Sequence, residues 1–358
     1  MRYPALTCAR GRREGKSGML EIYQALARRT GCPDEFLPEL SRIVPSPDAP
    51  YVLWCAGDDW VNPSRLARAF GTDLETAAEL LEDLFRRGIL ARRRPADLDR
   101  DEFWYHARSF YSLLLIHLGE GRVDGLERAS LVRLREFYLT RRIEMYDDLI
   151  EEGALKASSE VLPVEEAFTG HRHPHSGETT VMPGVDAHRL MAATSALQLL
   201  PCACRLTFQR CDKPLETCLI LGSRAEEYRA RGVGRPITVD EGEEILRIAD
   251  REGLVHLAVF EPGDRPYALC SCCPCCCHDL QALLRFGRTR WVRKAPWVAR
   301  TDMDVCTGCG TCVLRCVFGA RVLGNGVLAY DEARCYGCGL CVNTCPQRAI
   351  TLVPRAPA

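Results

Sequence analysis

Apolar and polar residues between positions 60 and 94 alternate with the three-and-four spacing of amphipathic helices. A short helix over "PSRLARAFG" is predicted to end at Gly71, and a second helix follows the T-x-x-E capping pattern of Thr72 and Glu75. Gly88 ends that helix, and the following "ILARRRP" is typical of a strand. The apolar face of the second helix is formed by Leu74, Ala77, Ala78, Leu81, Leu84 and Phe85. This order predicts a winged-helix-like segment at residues 60–94.

Helical and strand patterns alternate in the rest of the chain. Residues 103–150 are predicted to be mainly helical, and "DAHRLMAATSALQLL" at residues 186–200 is predicted to form a further helix. Thr238 and Glu241 repeat the capping pattern ahead of an amphipathic helix, which Gly253 ends and an apolar strand follows. Two cysteine-bearing segments flank this helix and strand.

These patterns predict an α+β protein with several domains. We expect a basic extension at residues 1–18, with Met19 as an alternative start, and a helical domain at residues 19–160 that contains the winged-helix-like segment. A central cysteine-rich α/β domain is expected at residues 161–295, followed by a C-terminal domain at residues 296–358.

Composition and charge narrow the class of protein. The 358 residues are 47% hydrophobic and 27% charged, and the net charge of −1 does not favour nucleic acid or an anionic membrane as partner. The longest apolar run, Leu113–Leu118, is too short to span a bilayer, and the N-terminus lacks the apolar stretch of a signal peptide. Only three of the 21 cysteines precede residue 200, whereas a secreted disulfide scaffold spreads them through a short chain. We therefore expect a cytoplasmic protein whose thiolates bind metal.

Two cysteine runs near the C-terminus form an internal repeat with an offset of 29 residues. Both "CTGCGTCVLRC" and "CYGCGLCVNTCP" space their cysteines as C-x2-C-x2-C-x3-C. Gaps of two residues let a tight loop place three thiolates around one cluster, and glycines 308, 310, 337 and 339 relieve crowding there. Eight thiolates in this repeat suit paired iron–sulfur cubanes better than tetrahedral zinc.

The repeat resembles the bacterial two-cluster ferredoxin domain over residues 297–354. The resemblance implies a two-cluster ferredoxin-like domain with two [4Fe-4S] clusters, in which the fourth cysteine of each run binds the other cluster. The ligands implied for the first cluster are Cys306, Cys309, Cys312 and Cys345. Those implied for the second cluster are Cys335, Cys338, Cys341 and Cys316. Val317 stands where a proline often follows the first run.

Charge in the C-terminal part bears on the redox chemistry. Residues 281–358 contain 11 Lys and Arg against 4 Asp and Glu, a net of +7. Positive charge partly offsets anionic clusters and favours their reduced state. We therefore expect reduction potentials less negative than those of small acidic ferredoxins, and a soluble redox partner protein with an acidic docking face.

Ten cysteines lie in the central region, more than the four that one cluster needs. Adjacent side chains of an extended chain point to opposite faces, so the thiols of "CSCCPCCC" cannot all face one cubane without a turn, which Pro274 can provide. We predict at least one additional iron–sulfur centre that joins this stretch to "CACR". Its expected ligands are Cys202, Cys204, Cys211 and Cys218, with Cys270, Cys272, Cys273 and Cys276 serving the same or a second centre. A non-cubane centre held by cysteine pairs and a redox-active dithiol patch are open alternatives.

The wider chain is similar to a family of long, ferredoxin-tailed 4Fe-4S proteins of anaerobic microbes. The motifs that carry the resemblance are "CACR" at 202–205, "CDKPLETC" at 211–218, "GVGRPIT" at 232–238 and "CSCCPCCC" at 270–277, within residues 60–354. The resemblance implies iron–sulfur electron transfer more firmly than any one reaction.

Three further patterns concern metal, nucleic-acid and dinucleotide binding. His171, His173 and His175 can bind a transition metal, although their Pro and Gly neighbours equally suit an exposed loop. The second helix of the winged-helix-like segment is acidic on its exposed face, so we expect no nucleic-acid partner despite the basic residues 92–94. "GVGRPIT" lacks the full G-x-G-x-x-G pattern, and no dinucleotide site is predicted.

We interpret the chain as an iron–sulfur electron-transfer protein. It would relay single electrons through two ferredoxin-type clusters, to or from the central centre. The alternatives are an iron–sulfur redox-sensing transcription regulator and a reductase with the central centre as its active site. No catalytic residue and no substrate are predicted, and no membrane span is expected.

Overall fold

A computed structural model of the chain describes residues 16–57, 59–94, 102–122, 126–164, 167 and 187–356. The histidines at 171, 173 and 175 and residues 1–15 of the predicted extension lie outside this range, and the first helix already begins at Lys16. Helices and strands are both abundant, as expected for an α+β protein. The chain divides into two compact units, Met1–Tyr138 and Leu139–Ala358. No helix in the described part has the length and apolar character needed to cross a membrane.

The first unit is mainly helical. Its helices are α1 (Lys16–Thr30), α2 (Leu37–Ile43), α3 (Ala49–Cys55), α4 (Pro63–Phe70), α5 (Leu74–Arg86) and α6 (Phe110–Gly119). A long helix, α7 (Arg128–Glu151), contains the boundary between the units. Strands β1 (Leu90–Arg93) and β2 (Trp104–Ala107) pair in antiparallel fashion after α5. The segment predicted at residues 60–94 thus contains two helices followed by the first strand of a hairpin.

The start of α5 differs in detail from the sequence prediction. Its N-cap is Asp73, whose side chain accepts a hydrogen bond from the backbone N–H of Thr76 at 2.8 Å. Thr72 was expected in this role, but its backbone N–H still donates to Ala67 O and so belongs to the end of α4. Gly71 has a left-handed backbone and ends α4, and Thr72 still completes the end of that helix. The N-cap therefore falls on the next residue, Asp73.

The second unit is built on a seven-stranded sheet among the residues described. Its strands are β3 (Ser159–Leu162), β4 (Leu197–Pro201), β5 (Glu216–Leu221), β6 (Arg235–Pro236), β7 (Val255–Glu261), β8 (Arg265–Cys272) and β9 (Val292–Arg293). The order across the sheet is β6-β4-β5-β8-β7-β3-β9, antiparallel throughout except for the pair β3 and β9. The cysteine-bearing strands β5 and β8 are therefore neighbours near its centre.

Helices connect these strands. They are α8 (Ala187–Ala192), α9 (Ala203–Phe208), α10 (Gly222–Ala230), α11 (Val239–Arg251) and α12 (His278–Phe286). The predicted cap of α11 is confirmed, because Thr238 accepts a hydrogen bond from the N–H of Glu241 at 3.2 Å. Glu241 does not complete a reciprocal box, since its carboxylate pairs with Arg235 at 2.5 Å. The strand expected after Gly253 is β7.

The helix predicted over residues 186–200 is wrong in its second half. The helix ends at Ala192, and residues 197–201 form strand β4. Thr194 breaks the helix, because its hydroxyl donates to Ala196 O and accepts from the N–H of Gly222. Residues 197–200, including Gln198, are all buried in the sheet. A short, mostly apolar run of this kind fits a helix or a strand equally well in a sequence.

The C-terminal segment forms two small two-stranded sheets with short helices. It consists of the antiparallel pair β10 (Trp297–Thr301) and β13 (Ile350–Pro354), the hairpin β11 (Arg321–Gly324) and β12 (Val327–Tyr330), and the short helices α13 (Thr311–Arg315) and α14 (Leu340–Asn343). It packs on the sheet part of the same unit, where the N–H of Val164 donates to Cys338 O at 3.0 Å and that of Ala295 to Tyr336 O at 3.1 Å.

Candidate metal centres

Two concave sites lie in the C-terminal segment, and each is lined by four cysteines. The first encloses about 360 Å³ and the second about 350 Å³, including their open mouths. Lining the first site are Cys306, Cys309, Cys312 and Cys345. Lining the second site are Cys316, Cys335, Cys338 and Cys341. Each site thus combines the first three cysteines of one run with the last cysteine of the other.

Glycines shape the walls of the second site. Gly337 has φ of 74°, and a Cβ at this position would collide with the carbonyl oxygen of Trp297. Gly339 has φ of 79°, and its Cβ would come within 2.9 Å of Val164 Cγ2. Only glycine combines this left-handed backbone with so close an approach to the neighbouring chain. The loop can therefore turn tightly enough to present Cys335, Cys338 and Cys341 to one point.

A buried arginine touches cysteines of both sites. Arg321 is 2% exposed, and its Nη1 donates to Thr301 Oγ1 at 2.8 Å. Its Nη2 is buried without a hydrogen-bond partner among the protein groups. Burial raises the pKa of Cys341 to about 11 and that of Cys312 as well, while the charge of Arg321 acts to lower both. The guanidinium is thus placed to stabilise thiolates of the two sites at once.

The side chain of Tyr330 lies at the second site. The Tyr330 hydroxyl lines this site and is buried without a partner that meets the geometry of a full hydrogen bond. Its pKa is raised by burial and by interaction with the Cys335 thiol. The Arg321 guanidinium stacks 4.8 Å from the Tyr330 ring centre. A hydroxyl beside the Cys335 sulfur would, in an iron–sulfur site, be an outer-shell group of the kind that adjusts cluster potentials.

A compact group of four cysteines lies in the central region, and we call it the cysteine tetrad. Its members are Cys211, Cys273, Cys275 and Cys276, whose sulfur atoms all lie within 4.8 Å of one another. The Cys211 Sγ is 3.7 Å from the Cys273 Sγ and 3.9 Å from the Cys276 Sγ. Cys211 follows α9, and the other three occupy the turn between β8 and α12. The turn at Pro274 is what brings three sulfurs of one short stretch to the same point.

Six further cysteines form a second group, which we call the cysteine ring. Its members are Cys202, Cys204, Cys218, Cys270, Cys272 and Cys277. Cys218 and Cys270 are paired in register on β5 and β8, with their Sγ atoms 4.0 Å apart. The thiols interact in the order 202–204–277–272–270–218. Hydrogen bonds with Cys204 and Cys272 lower the pKa of Cys277 to about 7, against the effect of burial.

A histidine borders the ring. The His278 Nδ1 lies 3.1 Å from the Cys204 Sγ, and its Nε2 lies 3.5 Å from the Asp279 Oδ1. Asp279 is 1% exposed and pairs with the equally buried Arg142 at 3.3 Å. Burial and the charge of Arg142 together lower the pKa of His278 to about 3. The imidazole is therefore neutral at neutral pH, which is the form that can ligate a metal.

Arg205 lies between the tetrad and the ring. It is 2% exposed, and its guanidinium donates to Ser271 O at 3.0 Å and to Thr217 Oγ1. The thiols that interact electrostatically with it are Cys202, Cys272 and Cys273. Within the described chain no carboxylate is among these partners. A buried cation is costly unless an anion balances it, and the charge of Arg205 acts to lower the pKa of Cys202, which the contact with Cys204 and burial raise.

The structure divides the predicted central ligands in a way that the sequence did not. Of the four cysteines expected to act together, Cys211 belongs to the tetrad, and Cys202, Cys204 and Cys218 belong to the ring. Of the second four, Cys273 and Cys276 join the tetrad, and Cys270 and Cys272 join the ring. Cys272 and Cys273 go to different groups, as do Cys276 and Cys277, whereas the adjacent Cys275 and Cys276 both join the tetrad in the turn after β8.

Three residues of these groups were missed as candidate ligands. Cys275 completes the tetrad, Cys277 completes the ring, and His278 lies against it. The run "CCCH" at residues 275–278 was the available signal. All the cysteines in the described part are free, and the sulfur separations of 3.7–4.0 Å are far longer than a disulfide bond. Disulfide pairing is thus not what gathers them.

Comparison with known proteins identifies one part of the chain. Residues 305–350 match the 4Fe-4S dicluster domain family. No curated protein and no solved structure matches the chain. The C-terminal segment is accordingly a ferredoxin-like 4Fe-4S domain, and the cysteine-rich central groups lie in the same compact unit.

Proposed function

We propose that the protein relays single electrons between two [4Fe-4S] clusters in its ferredoxin-like domain and a further iron–sulfur centre held by the cysteine ring. One-electron transfer is the chemistry that such clusters supply. The observation that carries the proposal is a hydrogen-bonded contact within one compact unit. It joins Arg315, which precedes Cys316 of the second C-terminal site, to the helix that leads into the sheet bearing the ring.

The donor sets fit two cubane clusters. Each C-terminal site offers four thiolates, the number that one [4Fe-4S] cluster needs. Glycine-lined loops leave room beside the sulfurs, and Arg321 supplies a positive charge against the anionic group. These residues would hold one cluster each, with the ligand sets that line the two sites.

The ring fits an additional centre that joins "CACR" to the stretch at 270–277. Six free thiols surround it, Arg205 provides a buried positive charge, and the Nδ1 of His278 reaches the same group. Exposed or half-buried thiols in such number are readily oxidised unless a metal binds them. Cysteine ligands from a helix start, two strands and a turn would be held rigidly by the sheet.

Arg315 makes the connection between the two regions. It precedes Cys316 in α13, and its Nη2 donates to Asp250 O at 2.5 Å and Arg251 O at 2.8 Å, at the end of α11. That helix leads into β7, where Val255 pairs with Cys272 of the ring. These contacts link the residue next to a cysteine of the second C-terminal site to the sheet that bears the central thiols. A cation at a helix C-terminus also interacts favourably with the helix dipole, which fixes this contact.

Electrons would enter or leave at the first C-terminal site. Cys309 is exposed there, and Leu314 on the adjacent α13 is 92% exposed. The domain carries a net positive charge, so an acidic face on a soluble redox protein would dock against it. Association with an acidic donor protein should therefore weaken as the salt concentration rises.

The relay is testable with an anaerobically reconstituted chain. A pulse of photochemical reductant delivers less than one electron per chain, and freeze-quench EPR then follows its distribution over time. We expect the signal of the ferredoxin-like clusters to appear first and to decay as a central signal grows. Arg315→Met should slow this transfer while leaving the iron content unchanged. Arg348→Met, the loss of an exposed charge in the same domain, serves as the matched control.

Two results would overturn the relay. One is a reduced ferredoxin-like cluster that never exchanges its electron with a central centre, although both are present. The other is a chain whose iron disappears completely when Cys309 and Cys338 are replaced by serine, because the central thiols would then hold none.

A redox-sensing transcription regulator is the second candidate. The pair α4 and α5, followed by the hairpin β1–β2, favours it as a winged-helix-like arrangement. Exposed acidic residues on α5 and the pairing of Arg92 with Glu82 at 2.8 Å oppose binding to phosphates. Gel-shift measurements with genomic fragments in the oxidised and reduced states separate this function from the relay.

A further inference from the structure

The four sulfur atoms of the cysteine tetrad are spaced for one metal ion. Metal–sulfur bonds of about 2.3 Å in a tetrahedral site place the sulfurs about 3.8 Å apart. The two separations from Cys211 are 3.7 and 3.9 Å, and all four sulfurs lie within 4.8 Å of one another. In a cubane each thiolate binds the outer corner of a different iron, so the sulfurs stand much farther apart.

The other cysteine groups of the chain provide a comparison for the sulfur spacing of the tetrad. Neither set of four cysteines in the C-terminal sites is grouped within 4.8 Å, although those sites match the 4Fe-4S dicluster family. The cysteine ring is not grouped that tightly either. The tetrad is therefore arranged differently from the cysteines assigned to clusters, and its spacing leaves no room for bridging sulfides.

The thiols of the tetrad interact with one another as well as lying close together. Burial acts to raise the pKa of Cys211, but hydrogen bonds from the Lys213 backbone and from the other three thiols lower it overall. Cys211 is thus the group around which the other three converge.

A second layer of contacts holds the four sulfurs in place. The Arg210 Nη1 donates to Gln281 Oε1 at 2.6 Å and to Cys275 O at 3.3 Å. Gln281 is fully buried, and its Nε2 donates to Cys276 O at 3.0 Å. These contacts fix the turn before α12 against the loop that carries Cys211. Outer-shell contacts of this kind orient the ligands of protein metal sites.

We propose that Cys211, Cys273, Cys275 and Cys276 bind a single tetrahedral metal ion, zinc or iron, with no bridging sulfide. Such a closed site is structural, because all four positions are taken by protein ligands. It joins the loop after α9 to the turn between β8 and α12, and that turn separates Cys272 from Cys277 of the ring. The ion would therefore fix the spacing of the ring ligands. The proposal does not depend on the electron relay.

Cobalt provides the probe. The chain is produced with Co²⁺ in place of zinc, and its visible spectrum is recorded after removal of unbound metal. We expect the intense ligand-field and charge-transfer bands of a tetrahedral cobalt tetrathiolate, at one ion per chain. Cys275→Ser and Cys211→Ser should weaken and shift these bands. Cys218→Ser in the ring and Cys32→Ser in the first unit should leave them unchanged.

Metal analysis of the chain without added cobalt separates the two ions. Zinc at one per chain, lost in Cys275→Ser, identifies the zinc form. A mononuclear high-spin iron signal in the Mössbauer spectrum, lost in the same variant, identifies the iron form. If the variants do not fold, X-ray absorption at the cobalt edge of the wild-type chain still decides, with four sulfurs at about 2.3 Å and no metal neighbour expected. Cobalt with a close metal neighbour, or cobalt tetrathiolate bands that keep their full strength in Cys275→Ser, would refute a mononuclear site at the tetrad.

Discussion

Replacement of Arg321 by methionine is expected to lower the reduction potentials of the two clusters proposed for the ferredoxin-like domain. The guanidinium is 2% exposed and acts on the thiols of Cys312 and Cys341, one in each C-terminal site. Reduction adds a negative charge next to this cation. Loss of the cation therefore destabilises the reduced state of each cluster and makes both potentials more negative.

The magnitude follows from Coulomb's law. With about 6 Å between the guanidinium and the centre of the added charge, and an effective dielectric constant of about 20, the interaction is about 3 kcal/mol. For a one-electron couple a tenfold change in equilibrium corresponds to about 59 mV, so the expected shift is on the order of 100 mV. Methionine keeps much of the volume of the side chain, which limits the loss of packing.

Protein-film voltammetry of the anaerobically loaded chain measures both potentials. Arg300→Met is the matched control, because it removes the same charge at a side chain that is 56% exposed and paired with Glu332. Solvent screening should keep its shift several-fold smaller. Arg321→Lys should retain most of the wild-type potential. If Arg321→Met moved neither potential by more than Arg300→Met, with both clusters intact, the argument from a shared buried cation would be refuted.

Three further variants test the loop, a helix cap and the central charge. Gly337→Ala should abolish iron binding at the second C-terminal site, because its Cβ meets the carbonyl of Trp297. Gly263→Ala is the control: its Cβ has open space, and the left-handed backbone should lower the free energy of unfolding by only about 1 kcal/mol. Thr238→Ala should lower the free energy of unfolding by about 1 kcal/mol, measured by denaturant titration, through loss of the α11 cap. Arg205→Met should weaken retention of the central metal by about 10- to 100-fold against a chelator, because thiolates lose their buried cation.

For each of these three variants, one result would contradict the prediction. Equal iron content in Gly337→Ala and Gly263→Ala would show that the close approach does not matter. Thr238→Ser should be nearly as stable as the wild type, and a loss equal to that of Thr238→Ala would point away from capping. Unchanged metal retention in Arg205→Met would mean that the central thiolates are balanced by other charges.

Local sequence patterns determined much of the architecture. The capped helix α11 and strand β7 were predicted correctly, because a cap, an amphipathic period and a glycine stop act within a few residues. The prediction failed at residues 197–201, where the apolar run became strand β4. Its neighbours β5 and β6 come from later in the chain, and no local pattern specifies such pairing.

The sequence alone determined the C-terminal cysteine repeat, because the spacing of cysteines and glycines in two tight loops is a local property of the chain. It also indicated that neighbouring central thiols must face different ways. Only the tertiary structure decided which thiols come together. Cys218 meets Cys270 through the register of β5 and β8, and Cys211 meets Cys275 through a loop that returns to the turn before α12. These contacts join residues more than 50 positions apart, and the free energy that selects them comes from packing of the whole sheet rather than from any short segment.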